Sequence, residues 1–91
     1  MNARGVQVTL PPALGTLFPG APRDLTLAAA TVAELLAALD ARWPGMRDRL
    51  CDSSPAIRRH INVFVDGERA TLATQLRPGA EVFIATAISG G

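Results

Sequence analysis

A stripe of apolar residues with helical spacing is the feature that most limits what this sequence can fold into. Thr31 precedes the stripe and Glu34 follows Thr31 by three residues, which is the spacing of a capping box at a helix start. The apolar residues recur at one-turn intervals and are Val32, Leu35, Leu36, Leu39 and Trp43. Pro44-Gly45 predicts the end of the helix. A single amphipathic helix cannot bury its own apolar face, so the stripe must pack on a second layer.

Strand patterns before the helix predict that this second layer is a β-sheet. Residues 6–10 alternate apolar and polar side chains, and Pro11-Pro12 ends the pattern. Residues 25–27 predict a short second strand that forms a hairpin with the first. Residues 13–22, which contain two glycines and two prolines, predict a long loop between the two strands.

The sequence after the helix predicts three further strands. Residues 46–50 predict one more helical turn before them. Ile61–Val65 is the strongest strand pattern in the chain, and Asp66-Gly67 predicts a two-residue hairpin turn into a short return strand at 68–70. Residues 81–87 predict the last strand.

The order of these elements predicts an α+β fold with a mixed sheet of four to five strands on one main helix. The helix lies between the second and third strands, where it supplies the long crossover that a parallel strand pair needs. We expect one folded domain over residues 1–87 and a flexible reactive tail over residues 88–91.

Composition excludes several classes of function. The net charge of +1 gives no electrostatic basis for nucleic-acid binding. No run of about 18 apolar residues and no signal-peptide pattern is present, so we expect a cytoplasmic chain that binds no membrane. Cys51 is the only cysteine and His60 the only histidine, so we expect no disulfide and no metal site. All nine basic residues are arginines, so the chain has no lysine of its own to accept an isopeptide bond.

The final residues, Gly90 and Gly91, predict the functional part of the chain. Glycine has no Cβ, so such a tail fits a slot that is too narrow for side chains. We expect Ile88, Ser89 and Gly90 to thread into a partner, and the carboxylate of Gly91 to be the reacting group.

With these features, the sequence resembles the ubiquitin-like β-grasp sulfur carriers of the ThiS/MoaD family over nearly its whole length. The resemblance is strongest in Ile61–Gly67, in Leu76–Val82 and in the terminal Gly90-Gly91. Among subgroups, residues 49–55 and 58–63 look most like the carrier used in cysteine synthesis from O-phosphoserine.

The resemblance implies a protein co-substrate and not an enzyme. It implies that an adenylyltransferase related to ubiquitin-activating enzymes uses ATP and Mg to adenylate Gly91, and that a sulfur donor converts the adenylate to a thiocarboxylate. In the cysteine pathway it further implies a sulfur-accepting synthase that depends on pyridoxal phosphate and a metal-dependent peptidase. The carrier itself would bind no cofactor and would act as a monomer.

The same resemblance predicts where partners dock. In a β-grasp sheet the first, last and third strands are neighbours, so side-chain alternation places Asn62, Phe64, Phe83 and Ala85 together on the face away from the helix. Two exposed phenylalanines on strands that lead to the tail indicate a partner site. Single exposed apolar residues are also ordinary on protein surfaces.

Two alternatives use the same tail. The chain most resembles a sulfur carrier. It could instead be a small subunit of molybdopterin synthase, which would also end in a thiocarboxylate. A ubiquitin-like modifier would instead transfer its activated C-terminus to lysines of other proteins.

Overall fold

The computed structural model describes residues 5–54 and 56–86, in which helices pack on one face of a five-stranded sheet. In chain order the elements are β1 (Gly5–Thr9), α1 (Pro12–Leu17), β2 (Asp24–Ala28), α2 (Val32–Arg42), α3 (Met46–Leu50), β3 (Ile61–Val65), β4 (Glu68–Arg69) and β5 (Glu81–Thr86). The predicted α+β class, the mixed sheet and the single main helix are confirmed.

The sheet has the strand order β2-β1-β5-β3-β4. Its one parallel pair joins β1 to β5, and the other three pairs are antiparallel. β5 is therefore the central strand, with β1 on one side and β3 on the other. This is the neighbour relation on which the predicted docking face depends.

Helix α2 begins as its sequence pattern predicts. The hydroxyl oxygen of Thr31 accepts a hydrogen bond from the backbone N–H of Glu34, and a carboxylate oxygen of Glu34 accepts one from the N–H of Ala30. The first two helical N–H groups, of Val32 and Ala33, donate to backbone carbonyls of the loop at residues 72–74. These hydrogen bonds satisfy N–H groups that the start of a helix usually leaves without a partner, and they attach the loop before β5 to the start of α2.

The core lies between the helices and one face of the sheet. The apolar stripe of α2 supplies its centre, with Val32, Leu35, Leu36 and Leu39 fully buried. The inward side chains of the three middle strands cover that stripe and are Val6, Val8, Ile61, Val63, Val82 and Ile84. Trp43 is only partly buried, because it lies just past the end of α2.

The predicted loop over residues 13–22 is wrong in its first half, where the structure has helix α1. Pro12 stands in the first turn of α1, where its fixed φ angle favours a helix and its missing N–H is not needed. Leu14 is buried in the core. Phe18, four residues later at the end of the helix, also packs against the core, but Gly15 and Pro19-Gly20 favour a loop in the sequence pattern.

The hairpin between β3 and β4 has the predicted two-residue turn. Asp66 has a φ of 51° and Gly67 a φ of 88°, so both residues adopt the left-handed conformation that such turns require. The Asp66 N–H donates to the carbonyl of Glu81, and the Asp66 carboxylate accepts from the Glu81 N–H at 2.9 Å. These two bonds attach the turn to the first residue of the central strand.

Candidate functional site: the open sheet face and the tail exit

The four residues predicted to dock a partner form two directly opposed pairs on neighbouring strands. In the antiparallel register of β3 and β5, Phe64 is opposite Phe83 and Asn62 is opposite Ala85. Directly opposed side chains on one face have Cβ atoms about 4.5–5.5 Å apart, so each pair forms a continuous surface. The helices lie on the other face, so these four side chains are on the open side of the sheet.

The exposure of the two phenylalanines differs. Phe83 is 49% exposed and is one of the two large apolar side chains that stand out from the described surface. Phe64 is only partly exposed. The prediction of two exposed rings therefore needs correction: Phe83 is the accessible ring, and Phe64 supports it from the neighbouring strand.

A row of side chains crosses the whole sheet at the level of the phenylalanine pair. The strand registers place one residue of each strand in this row, in the order Asp24, Thr9, Phe83, Phe64 and Arg69. The Thr9 hydroxyl donates to the Asp24 carboxylate at 2.8 Å. The row has an apolar centre with a carboxylate at one end and a guanidinium at the other, and such an arrangement gives an interface both contact area and orientation.

Arg69 is a member of this face that the sequence analysis missed. It is opposite Phe64 in the hairpin and donates a hydrogen bond to the side-chain oxygen of Asn62. The signal was present in the sequence, because a two-residue turn at Asp66-Gly67 necessarily pairs Phe64 with Arg69.

The tail leaves the sheet beside the start of β3. Thr86, the last described residue of β5, is opposite Ile61, the first residue of β3. The residues predicted to thread into a partner and to react, Ile88, Ser89, Gly90 and Gly91, lie outside the described residues. One member of each docking pair, Phe83 or Ala85, lies on β5, the strand from which the chain continues into the tail.

Three residues with side chains capable of carrying charge lead into Ile61 at this exit. Arg59 and His60 are exposed, and Arg58 is partly buried. The Arg58 Nε–H donates to the backbone carbonyl of Asp48 at 2.8 Å, which attaches the segment to α3. His60, for which we expect no role in metal binding, lies in the turn before β3.

A carboxylate turn holds the start of this segment. Asp52 accepts hydrogen bonds from the hydroxyl and the N–H of Ser54 and from the N–H of Ala56. The Ser54 hydroxyl, followed by the backbone donors, holds the pKa of the Asp52 carboxyl below its ordinary value. The charged carboxylate is thus the form that the folded chain prefers.

We expect Asp52→Ala to lower the melting temperature near neutral pH and to have little effect in acid. A carboxyl whose pKa is lower in the folded state stabilises the fold above its ordinary pKa, and this stabilisation is lost as the pH falls through the folded-state pKa. Thermal melts of both proteins at about pH 7 and about pH 3 measure the difference. Asp48→Ala, in the first turn of α3, is the control. An equal loss of melting temperature at both pH values would contradict stabilisation of the fold by the charged Asp52 carboxylate.

Cys51 has the properties of a small core residue. Its side chain is buried, and that burial raises the pKa of the thiol, although Arg47 opposes the shift. A raised pKa disfavours the thiolate, which is the reactive form.

Within residues 5–54 and 56–86, no three histidine, cysteine, aspartate or glutamate side chains come close enough together to hold a metal ion. In the same part of the chain, no helix is both long and apolar enough to cross a membrane.

The strand topology and the open sheet face define the class of fold. A mixed sheet with its first and last strands parallel at the centre, one main helix on one face and an open face on the other is the ubiquitin-like β-grasp fold. The model of the ThiS family matches residues 16–91, and the chain belongs to this family of ubiquitin-like sulfur carriers and modifiers.

Solved structures give the same assignment. A chain of the BexX/CysO complex from Amycolatopsis orientalis is 29% identical, with a TM-score of 0.84, and the match covers 94% of this chain and 99% of that one. CysO from Mycobacterium tuberculosis is 27% identical, with a TM-score of 0.81 and coverage of 91% and 99%. SAMP1 from Haloferax volcanii is 27% identical, with a TM-score of 0.79 and coverage of 96% and 99%. A search of curated protein sequences finds no match.

Proposed function

We propose that this protein is a sulfur carrier whose Gly91 carboxylate is adenylated and then converted to a thiocarboxylate that donates sulfur in biosynthesis. The observation that carries the proposal is the match to the ThiS family, which runs from residue 16 through Gly90 and Gly91. The similarity to two CysO chains supports it.

The proposed chemistry has two steps. A carboxylate oxygen of Gly91 attacks the α-phosphorus of ATP, and pyrophosphate leaves. A sulfide equivalent then attacks the acyl carbon, AMP leaves, and the carboxyl oxygen lost with AMP is replaced by sulfur. A carboxylate is a poor electrophile and an acyl adenylate is a good one, so ATP makes the exchange possible. Sulfur bound to a protein reaches the next enzyme at high effective concentration.

In this proposal the chain is a substrate of its partners, as carriers of this family generally are. An adenylyltransferase supplies the ATP site and Mg, and a synthase accepts the sulfur. We propose cysteine synthesis as the first pathway to test, with a synthase that uses pyridoxal phosphate and a metal-dependent peptidase that releases the product. The resemblance of residues 49–55 and 58–63 to the cysteine-synthesis carrier supports this order of testing.

The open sheet face is the docking surface in the same proposal. Phe83 and Phe64 would supply the apolar contact, with Asn62 and Ala85 beside them, while Ile88, Ser89 and Gly90 thread towards the active site. The support is geometric, because the face and the tail follow one another on β5. A partner that binds this face would therefore hold Thr86, the residue from which the tail continues, close to its own surface.

Intact mass spectrometry tests the function. The protein is incubated with the activating enzyme of its own organism, ATP, Mg and a sulfide source. We expect the mass gain of one oxygen-to-sulfur exchange, located at Gly91 by fragmentation. Reactions without ATP are the control. An unchanged mass in the presence of an enzyme that modifies its own cognate carrier would rule out the sulfur-carrier function.

A second function, conjugation to lysines of other proteins, is favoured by one comparison. SAMP1 of Haloferax volcanii, which is described as a small archaeal modifier protein, is 27% identical over almost the whole chain. The same adenylate would then react with a lysine amine. Adducts whose tryptic peptides carry a branch from Gly91 on lysine would support this function, and their absence in cells that contain the thiocarboxylate form would exclude it.

A further inference from the structure

Four arginines lie close to the start of β3, which is opposite the last described residue of β5, and we call this group the basic rim. Its members are Arg47, Arg49, Arg58 and Arg59. All but Arg58 are exposed. The rim borders Ile61, which is opposite Thr86 at the end of β5.

Arg58 joins the members of the rim into one surface. It lines a cavity with Arg49 and His60, a second with Arg47 and Asp52, and a third with Arg59 and Arg69. Asn62 also lines the third cavity and accepts the hydrogen bond from Arg69, so the basic rim is continuous with the open sheet face.

The charges of the basic rim are not balanced locally. The Arg58 guanidinium donates a hydrogen bond to a backbone carbonyl, which is a neutral acceptor. The rim holds four arginines, with Asp48 and Asp52 as the carboxylates that line its cavities, whereas the rest of the chain has five arginines and six carboxylates. A chain that is almost neutral overall therefore has a surface of net positive charge beside the start of β3.

The opposite end of the central strand has a small excess of carboxylates, because Asp66, Glu68 and Glu81 outnumber the two arginines that line a cavity there, Arg69 and Arg77. Glu81 begins β5, the Asp66 turn is bonded to it, and Glu68 follows that turn. The six residues of β5 separate the acidic end from the tail exit by roughly 17–20 Å, at about 3.3 Å per residue. The charge is thus separated along β5, with the positive surface beside Thr86, the last described residue of the strand.

We propose that the basic rim docks on an acidic protein surface around the channel into which a partner enzyme takes the tail. The proposal rests on the proposed function, because it concerns the enzyme that activates Gly91. The separated charge turns the carrier so that its tail end approaches first, and attraction between the rim and the acidic surface raises the association rate.

A protein surface fits this site better than nucleic acid. The carboxylates of Asp48 and Asp52 lie among the arginines and would repel a continuous row of phosphates. A folded partner can place its own carboxylates opposite the arginines and leave the positions opposite Asp48 and Asp52 neutral or basic. The planar guanidinium group suits this, since it binds carboxylates through two parallel hydrogen bonds.

The test compares two charge reversals of equal size. Arg59→Glu changes the basic rim, and Arg77→Glu changes an exposed arginine that lines a cavity with Asp66 and Glu68 at the acidic end. Association rates with the activating enzyme are measured by stopped flow at low and high salt. We expect Arg59→Glu to slow association at low salt by about threefold to tenfold and to flatten the salt dependence. We expect Arg77→Glu to stay within about twofold of the unmodified protein.

Two measurements separate this inference from the proposed function. Equal association rates and salt dependences for Arg59→Glu and Arg77→Glu would contradict docking through the basic rim, even if the unmodified protein gains sulfur. A carrier that binds the enzyme but gains no sulfur would refute the proposed function. The comparison of association rates would still test docking through the basic rim.

If the activating enzyme does not bind, a titration followed by amide NMR tests whether the basic rim binds an acidic peptide. An oligoglutamate peptide is expected to shift the amides of residues 47–49 and 58–60 more than those of residues 66–68 and 77, and more than a single-stranded oligonucleotide of equal charge does. Uniform shifts, or stronger binding of the oligonucleotide, would overturn the proposal.

Discussion

Removal of Gly90 and Gly91 is expected to abolish thiocarboxylate formation without changing the melting temperature. The reacting carboxylate would move to Ser89, whose side chain does not fit a slot built for glycine. Among residues 5–54 and 56–86 the last buried core side chain is Ile84, so we expect the fold not to need the last two residues of the chain. Intact mass after incubation with the activating enzyme and ATP measures the first effect, and a thermal melt measures the second.

A one-residue extension is the matched control for this deletion. Adding a single alanine after Gly91 keeps both glycines but moves the carboxylate to a residue with a Cβ. If the glycine carboxylate itself is required, both variants lose the modification and both keep the affinity of the open sheet face. Sulfur transfer to the truncated chain would show that the reacting group has been assigned wrongly.

Phe83→Ser is expected to weaken binding to the activating enzyme by about threefold to tenfold. Full burial of a phenylalanine contributes roughly 1.5–3 kcal/mol, and Phe83 already has about half of its surface covered in the free protein. The remaining half corresponds to roughly 0.75–1.5 kcal/mol, and about 1.4 kcal/mol is a factor of ten in the dissociation constant. The effect on stability is smaller, because the lost cross-strand pair with Phe64 contributes roughly 0.2–1 kcal/mol.

Leu17→Ser is the matched control for Phe83→Ser. Leu17 is 47% exposed, against 49% for Phe83, but it lies at the end of α1 and not on the open sheet face. Isothermal titration of both variants against the activating enzyme compares two apolar residues of almost equal exposure. Equal losses of affinity, or none in either variant, would show that the open sheet face does not bind this partner.

Much of the fold could be predicted because its signals are local. The capping residues and apolar stripe of α2 depend on spacing alone, and so do the alternation of β3 and β5 and the turn at Asp66-Gly67. The predicted docking pairs needed one non-local fact, the neighbour relation of β3 and β5, which came from the resemblance to a β-grasp family and is confirmed by the strand register.

Other features depend on contacts between residues far apart in the chain. Helix α1 packs on the core through Leu14 and Phe18, and in so short a segment this spacing is a weaker signal than the glycines and prolines around it. The partial burial of Phe64 also depends on its neighbours, including Arg69 opposite it, and could not be inferred from alternation.

The sequence by itself determined the class of fold, the faces of the strands and the glycines proposed to react, because spacing along a chain fixes these properties. Only the tertiary structure placed Arg58 and Arg59 beside the end of β5 and put the carboxylates of Asp66 and Glu81 at its start. Charges separated along the sequence add to one another only after the strands pair. The electrostatic orientation of the molecule is therefore a property of the folded chain.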